Sequence, residues 1–461
     1  MNIYKYQILF LAFVCLFVST ASAQKSPSNQ QIKTKVDEYM KVAVEHERFI
    51  GTILIAKDGK AIVSKGYGMA NVEFDAPNNP NTVFRLASVT KQFTAAAIMI
   101  LQERGKLNVN DLACKHLAEC PATWQAITIH HLLTNTHGIS GVSAAEIGAL
   151  RGLPIPHDQW YETTSKKPLE YAPGEKFKYL TSGYTLLGYI IERASGKSYG
   201  DFLQENIFTP LGMKRSGYED PLRIIKNRAT GYDQLPGNPI TNLPYREIVR
   251  MYSSGGVYST TEDLLLWSNA ISTGKILSKK SVEAMFTPFR EMYPGTGYAY
   301  GFWSNQQFGR RRIAHGGNAT GFITYFAYYP EDRVTVIVLS NNQRGSSGKI
   351  NDVLSAITFG EKYEIPKERK AISVAPSALE KYIGEYEYQY PPGKFTISLE
   401  NGKLMAQRNA ESKTEMFAES ENKFFLRTED IQFTFIKETS GLIIDQGDGT
   451  LFPVLKAQKV K

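Results

Sequence analysis

Ser88 and Lys91 stand three residues apart where the apolar run FRLASVTKQFTAAAIMILQERG begins. Residues at i and i+3 share a helix face, so both side chains can point into one cleft. Burial disfavours the ammonium form of a lysine and lowers its pKa. A lysine lowered in this way can accept the serine proton, and the serine becomes a nucleophile. At a helix start the same serine presents its backbone N–H to a developing oxyanion. The ordinary alternative is a helix cap beside a lysine that reaches out to water. Ser-x-x-Lys alone decides little, because the chain holds five: Ser22/Lys25, Ser88/Lys91, Ser272/Lys275, Ser346/Lys349 and Ser420/Lys423. Context removes four. The first straddles the end of a leader, the third and fourth lie in Gly-containing loops, and the last sits in a charged turn. Only Ser88/Lys91 opens a long apolar helix, expected from about Val89 to Gln102 with Gly105 just past its end.

Two further stretches bear on the same chemistry. Tyr179 lies in FKYLTSGY, a loop before a helix, and His315-Gly316-Gly317 lies on a strand. The small residues after the histidine let a backbone approach a substrate there. Each residue alone reads more simply as structural. Their weight comes from the order Ser-x-x-Lys, Tyr, His-x-Gly. Competing chemistries fail sooner. SGKS at Ser195 to Ser198 lacks the first glycine of a phosphate loop, since Ile191 occupies it. His130 and His131 are adjacent and point to different helix faces, and no His-Glu-x-x-His is present, so no metal and no cofactor are expected.

The elements that must position these residues are legible in outline. IGTILIAKDGKAIVSKGYG reads as a hairpin around Asp58-Gly59. TIHHLLTNTHGIS reads as a short helix and a Gly turn. A helix with Leu187, Ile190, Ile191 and Ala194 on one face is stopped by Gly196. GGVYSTTEDLLLWSNAI offers Ser259 or Thr260 as a helix cap, with Glu262 and Asp263 in the first turn. RRIAHGGNATGFITYFAYYPEDRVTVIVLSN supplies three strands. Strands, a long helical middle and strands again suit one sheet built from both ends of a domain, with a helical region inserted. Residues 363–376, YEIPKERKAISVAP, read as a linker between domains at 24–362 and 377–461. The second is all-β, a small barrel or sandwich.

The first 23 residues read as a secretory signal peptide. Lys5 precedes an apolar run from about Ile8 to Val18, and Ala21-Ser22-Ala23 is a cleavage signal. The run is short for a membrane span, and no stable membrane anchor is expected. The mature protein is expected to be exported, periplasmic or secreted. Its net charge falls from +8 to +7 on losing Lys5, a mild excess that suits anionic surfaces, and nothing resembles a nucleic-acid module. Cys114 and Cys120 remain in DLACKHLAECP. Export permits a disulfide between them, and two free cysteines packed as small hydrophobes are equally compatible. Arg310-Arg311-Arg312 reads as a solvated strand end rather than an anion site.

FRLASVTKQFTAAAI, ITIHHLLTNTHGIS, PGEKFKYLTSGYTLLGYIIERASG, SSGGVYSTTEDL and HGGNATGF together resemble the serine β-lactamase and penicillin-binding-protein family, near its class C, D,D-carboxypeptidase and esterase branches, from about Val42 to Phe359. The resemblance implies an α/β fold: an antiparallel sheet flanked by helices, an all-helical region, and the site between them. Carried over, Ser88 is the acylated nucleophile and Lys91 its base. Tyr179 shuttles protons, and His315 takes the place of a lysine. The backbone N–H groups of Ser88 and Asn318 form the oxyanion hole. Thr181, Gly316 and Gly317 contact substrate. Two departures stand out: Thr181 replaces the asparagine of Tyr-x-Asn, and His315-Gly316 replaces Lys-Thr. The expectation is an acyl-enzyme hydrolase acting on an ester, an amide or a D-amino-acid peptide, cell-wall fragments included. The alternatives are a β-lactamase proper or a non-catalytic penicillin-binding-type sensor. Oligomeric state is not readable.

Overall fold

The structure is a computed structural model describing residues 27–460, apart from 47–48, 118, 142–156, 235–237, 244–250, 367–368, 390–391, 429–430, 437–440 and 447–453. The leader lies outside the described residues. Helix α1 (Asn29–Glu45) carries a capping box on Ser28 and Gln31 and leads into the hairpin β1 (Gly51–Lys57) and β2 (Lys60–Tyr67), which turns at Asp58-Gly59. The chain then leaves the sheet. It passes through β3 (Phe84–Arg85) and a 3₁₀ turn at Ala87–Thr90 before α2 (Lys91–Glu103). Further on come α3 (Thr181–Ser195), β4 (Val257–Ser259) and α4 (Thr261–Thr273). It returns as β5 (Arg290–Tyr293), β6 (Thr296–Tyr298), β7 (Trp303–Gln307), β8 (Arg310–Ala319), β9 (Phe322–Tyr329) and β10 (Val334–Ser340), and closes on α5 (Ser347–Phe359).

One antiparallel eight-stranded sheet results, in the order β5-β6-β7-β8-β9-β10-β1-β2. The two ends of the domain meet where β1 pairs with β10, Gly51 opposite Ser340. Every residue of β9 and β10 is buried, because α4 and α5 cover β10 while the turn that carries Ser88 packs on β8 and β9. A strand buried on both faces needs a continuous apolar run, as VTVIVLS supplies. Eleven of the thirteen residues of α2 are buried, so this helix runs through the core, as an all-round apolar helix must. The sequence predicts one helix from Val89. The structure starts the run two residues earlier, as a 3₁₀ turn at Ala87–Thr90 that passes directly into α2, and Ala87, in the left-handed region at φ 49°, bends the chain where the turn begins.

The Arg310–Arg312 run is not a solvated strand end. Arg312 is buried, with Nη1 2.6 Å from Asp352 of α5 and Nε donating to Asn305 at 3.0 Å. Strand alternation turns this residue toward α5. Arg310 pairs with Asp332 and Arg311 with Glu283.

Beyond the first domain a nine-stranded sheet runs from Gly384–Gln389 to Val454–Lys459, with its own core around Tyr386, Ile397, Phe433 and Ile444. Its two edge strands, Thr414–Glu415 and Phe417–Ala418, are separated only by Met416, so the sheet curls into a nearly closed barrel. Among the described residues no helix is long and apolar enough to cross a membrane.

Candidate active site

Ser88 is half-buried between the buried residues Ala87 and Val89. Its turn is held from several sides. Leu86 N–H donates to Val257 O at 2.9 Å, Thr324 Oγ1 to Leu86 O at 2.8 Å, and Val257 N–H to Thr90 Oγ1 at 3.0 Å. These bonds over-determine the left-handed Ala87, a conformation that costs a non-glycine residue about 1–3 kcal/mol and persists only where its surroundings impose it. Gly317 completes the grip. A Cβ there would lie 2.2 Å from Leu86 O and 2.5 Å from Thr324 Oγ1. The missing side chain thus lets β8 close against the turn that carries Ser88, a packing role that the sequence reading did not assign to it. Asn318, next along β8, stands beside that turn with its side chain exposed, its Oδ1 accepting from Gln343 Nε2 at 3.1 Å. Gln343 Oε1 also takes the Gly321 N–H at 2.7 Å, so one glutamine fixes the β8–β9 turn at two points.

Lys91 is fully buried, with Nζ 3.1 Å from Ser88 Oγ and 2.8 Å from Ser254 O. The rings of Tyr179 and Tyr184 lie 5.0 and 5.5 Å from the same nitrogen. Burial alone pushes the Lys91 pKa down to about 7. The Ser254 carbonyl comes from the short helix Tyr252–Gly255, whose neighbour Ser253 accepts from Thr94 Oγ1 of α2 at 2.6 Å through its own carbonyl. The lysine is thereby held from a segment far along the chain.

Tyr179 precedes α3 and shares a hydrogen bond with Ser88. Burial pushes its hydroxyl well above the ordinary phenol range, and the Ser88 bond offsets only part of that. Tyr179 therefore stays protonated at neutral pH, and Lys91 is the group able to take a proton. His315 is buried, with Nδ1 2.6 Å from Gly316 O and Nε2 3.5 Å from Tyr298 Oη. A carbonyl can only accept, so Nδ1 carries the hydrogen and Nε2 presents its lone pair. Burial first, and the Lys91 charge second, push His315 down to about 3, and it is neutral at pH 7. Its ring lies 6.1 Å from the Tyr179 ring and 4.5 Å from Trp303.

The structure thus gathers Ser88, Lys91, Tyr179 and His315 in one place, with Gly316 and Gly317 buried on β8. Thr181 opens α3 and is exposed. Cys114 and Cys120 are joined in a disulfide with Cα atoms 5.3 Å apart. Sequence reasoning missed Ser254, Tyr298 and Gln343. For Ser254 the SSGG run was a usable signal, because its small residues let the segment approach Lys91; Tyr298 and Gln343 carried none.

The Beta-lactamase family model matches residues 32–357, and a domain of unknown function, DUF3471, matches 368–445. The chain is 30% identical over 433 residues to penicillin-binding protein 4* of Bacillus subtilis (strain 168), covering 88% of this chain and 94% of that protein. It is similar to the structure of an octameric penicillin-binding protein homologue from Pyrococcus abyssi, with a TM-score of 0.66 and 26% identity over 92% of this chain and all of that one. A D-stereospecific amidohydrolase from Streptomyces sp. shares the fold, with a TM-score of 0.61 and 19% identity over 73% of this chain and all of that one. A hydrolase with promiscuous acyltransferase activity and a D-amino acid amidase from Ochrobactrum anthropi share the fold, at 23% and 21% identity. With the matching model over most of its length, this chain belongs to the Beta-lactamase family of serine hydrolases.

Proposed function

We propose that this protein is an exported hydrolase that cleaves an ester, an amide or a D-amino-acid peptide through an acyl-enzyme on Ser88. The observation that carries the proposal is Lys91: Nζ lies 3.1 Å from Ser88 Oγ, in a buried site that brings its pKa to about 7. As a neutral amine, Lys91 donates one N–H to Ser254 O and accepts the Ser88 hydroxyl proton on its lone pair. Ser88 Oγ attacks the substrate carbonyl, whose oxygen takes the negative charge beside the N–H groups of Ser88 and Asn318. Protonated Tyr179 hands its proton to the leaving group and is refilled from Lys91, so the charges balance when the leaving group departs. A water molecule then repeats the sequence in reverse on the acyl-enzyme.

Two features disfavour β-lactams as good substrates. Thr181 lacks the side-chain amide that would bind an acyl-side amide group, and neutral His315 followed by Gly316 offers neither a fixed charge nor a hydroxyl to a lactam carboxylate. The leader sequence supports export, and the Cys114–Cys120 disulfide suits an oxidising compartment. A fluorophosphonate probe should label Ser88 on peptide mapping. The substrate test compares kcat/KM for a short-chain nitrophenyl ester, a D-alanyl-D-alanine peptide and a chromogenic cephalosporin on one preparation. A cephalosporin value well above the other two would make the protein a β-lactamase. Labelling without turnover of any substrate would make it a sensor.

A further inference from the structure

A cavity of about 420 Å³ opens beside the turn that carries Ser88. Its walls include Arg85, Arg228, Thr230, Asn242, Thr320 and Phe322. Arg85 lies three residues before Ser88, and Thr320 two residues after Asn318, so the cavity is built on the two segments that carry the proposed nucleophile and oxyanion donor. Its charge is one-sided. Arg85 and Arg228 are the only charged residues among the described ones that line it. Behind them a single carboxylate, Glu219, only 3% exposed, accepts from Arg85 Nε at 2.9 Å and from Arg228 Nη1 at 3.3 Å. Two guanidinium groups on one carboxylate leave a local excess of one positive charge. Each guanidinium carries five N–H donors, and Glu219 takes one from each, so both arginines keep donors for a further acceptor. The Arg85 guanidinium also lies 5.9 Å from the Phe322 ring centre, which fixes it against the cavity wall.

The direction of the cavity identifies which part of a substrate it meets. The leaving group must receive its proton from Tyr179, which lies beside His315 on β8. His315 stands in the middle of β8, and the cavity lies past the strand's C-terminal end, at Thr320. Ala319 is about 13 Å along β8 from His315 at the usual rise per residue. A substrate whose carbonyl sits at Ser88 and Asn318, with its leaving group toward Tyr179, therefore sends its acyl chain toward Arg85 and Arg228.

Resting on the hydrolase reading above, we propose that this cavity is an acyl-side subsite for a carboxylate, so that the preferred acyl donors carry a negative charge a few atoms from the scissile carbonyl. Arginine suits this role because its planar fork matches a carboxylate with two parallel hydrogen bonds.

The test uses the full-length protein and two esters of matched length, mono-4-nitrophenyl glutarate and 4-nitrophenyl valerate, which differ in a terminal carboxylate against a methyl group. The glutarate should be preferred in kcat/KM by about tenfold or more, the worth of a charge-assisted hydrogen bond. The preference should shrink with added salt, and Arg228→Gln should lower the glutarate-to-valerate ratio by about tenfold. Valerate cleavage equal to or faster than glutarate cleavage in the unaltered protein would overturn the subsite while leaving the hydrolase intact. A ratio unmoved by Arg228→Gln would do the same. Cleavage of neither ester, or cleavage that survives Ser88→Ala, would overturn the hydrolase reading itself and the subsite with it.

Discussion

Replacing Lys91 with methionine separates the cost of burying this lysine from its use. In the unfolded chain its ammonium holds a proton up to the ordinary lysine value of 10.5, and in the folded protein only up to about 7. Between these values the unfolded state binds the extra proton, so stability falls as the pH falls from 10.5 to 7 and changes little below that. The full cost is about 5 kcal/mol, and the part that appears between pH 9 and pH 7 is about 2 kcal/mol. Lys91→Met has a similar length, suits an apolar site and has nothing to titrate. It also loses the bonds to Ser88 and Ser254, which sets a constant offset between the two proteins but no pH dependence of its own. The quantity to measure is the difference in unfolding free energy between the variant and the unaltered protein, from urea titrations at pH 7, 8 and 9. Tryptophan fluorescence reads the right domain, because Trp124, Trp160, Trp267 and Trp303 are the only four tryptophans and all precede the linker. The variant should gain about 2 kcal/mol relative to the parent on going from pH 9 to pH 7. A difference that stays flat over this range would mean that Lys91 keeps its proton when folded, and the proposed base would have no lone pair to offer.

The remaining predictions concern activity and assembly. In the parent, kcat/KM for an ester should fall as the pH drops through about 7, where Lys91 takes up its proton, and Lys91→Arg should fold yet lose activity almost as fully as Lys91→Ala, because arginine does not give up its proton; substantial activity in Lys91→Arg would show that positive charge suffices. Gly317→Ala places a Cβ 2.2 Å from Leu86 O, so β8 and the Ser88 turn must part, and Tm and kcat should both fall while the α2 core is untouched; a variant with parental kcat would show that the close approach is not needed. A chain ending near Lys367 should fold and still label at Ser88 with a fluorophosphonate, because the four gathered side chains precede the linker and the barrel has its own core; a folded truncate that does not label would place part of the site in the barrel.

What was legible in the sequence follows a physical rule. Ser88 and Lys91 could be paired from their spacing alone, since i and i+3 meet on any helix or 3₁₀ turn, and the lysine's lowered pKa could be foreseen from the apolar run behind it. The β1–β2 hairpin and the β9–β10 turn at Pro330 were legible for the same reason: their signals are local. Ser254 offered only the small residues of its SSGG run as a signal, because its carbonyl reaches Lys91 across a sequence separation of 163 residues. Arg312 was misjudged for the same reason. Its alternation on β8 was visible, but the carboxylate that buries it, Asp352, belongs to a helix 40 residues later.

Ala87 and Gly317 show a different limit. Alanine carries no turn signal, so nothing in its identity announces a left-handed residue beside Ser88. Gly317 was read from the sequence as letting backbone approach a substrate. The structure answers that the approaching backbone is the protein's own, at Leu86. The two positions act together. A side chain at Gly317 would push away the carbonyl that Thr324 Oγ1 holds, and with it the restraint that keeps Ala87 in its unfavourable conformation. The position of Ser88 against Lys91 therefore depends on an atom that is missing from β8 as much as on the two side chains themselves, and a sequence displays groups more readily than the spaces between them.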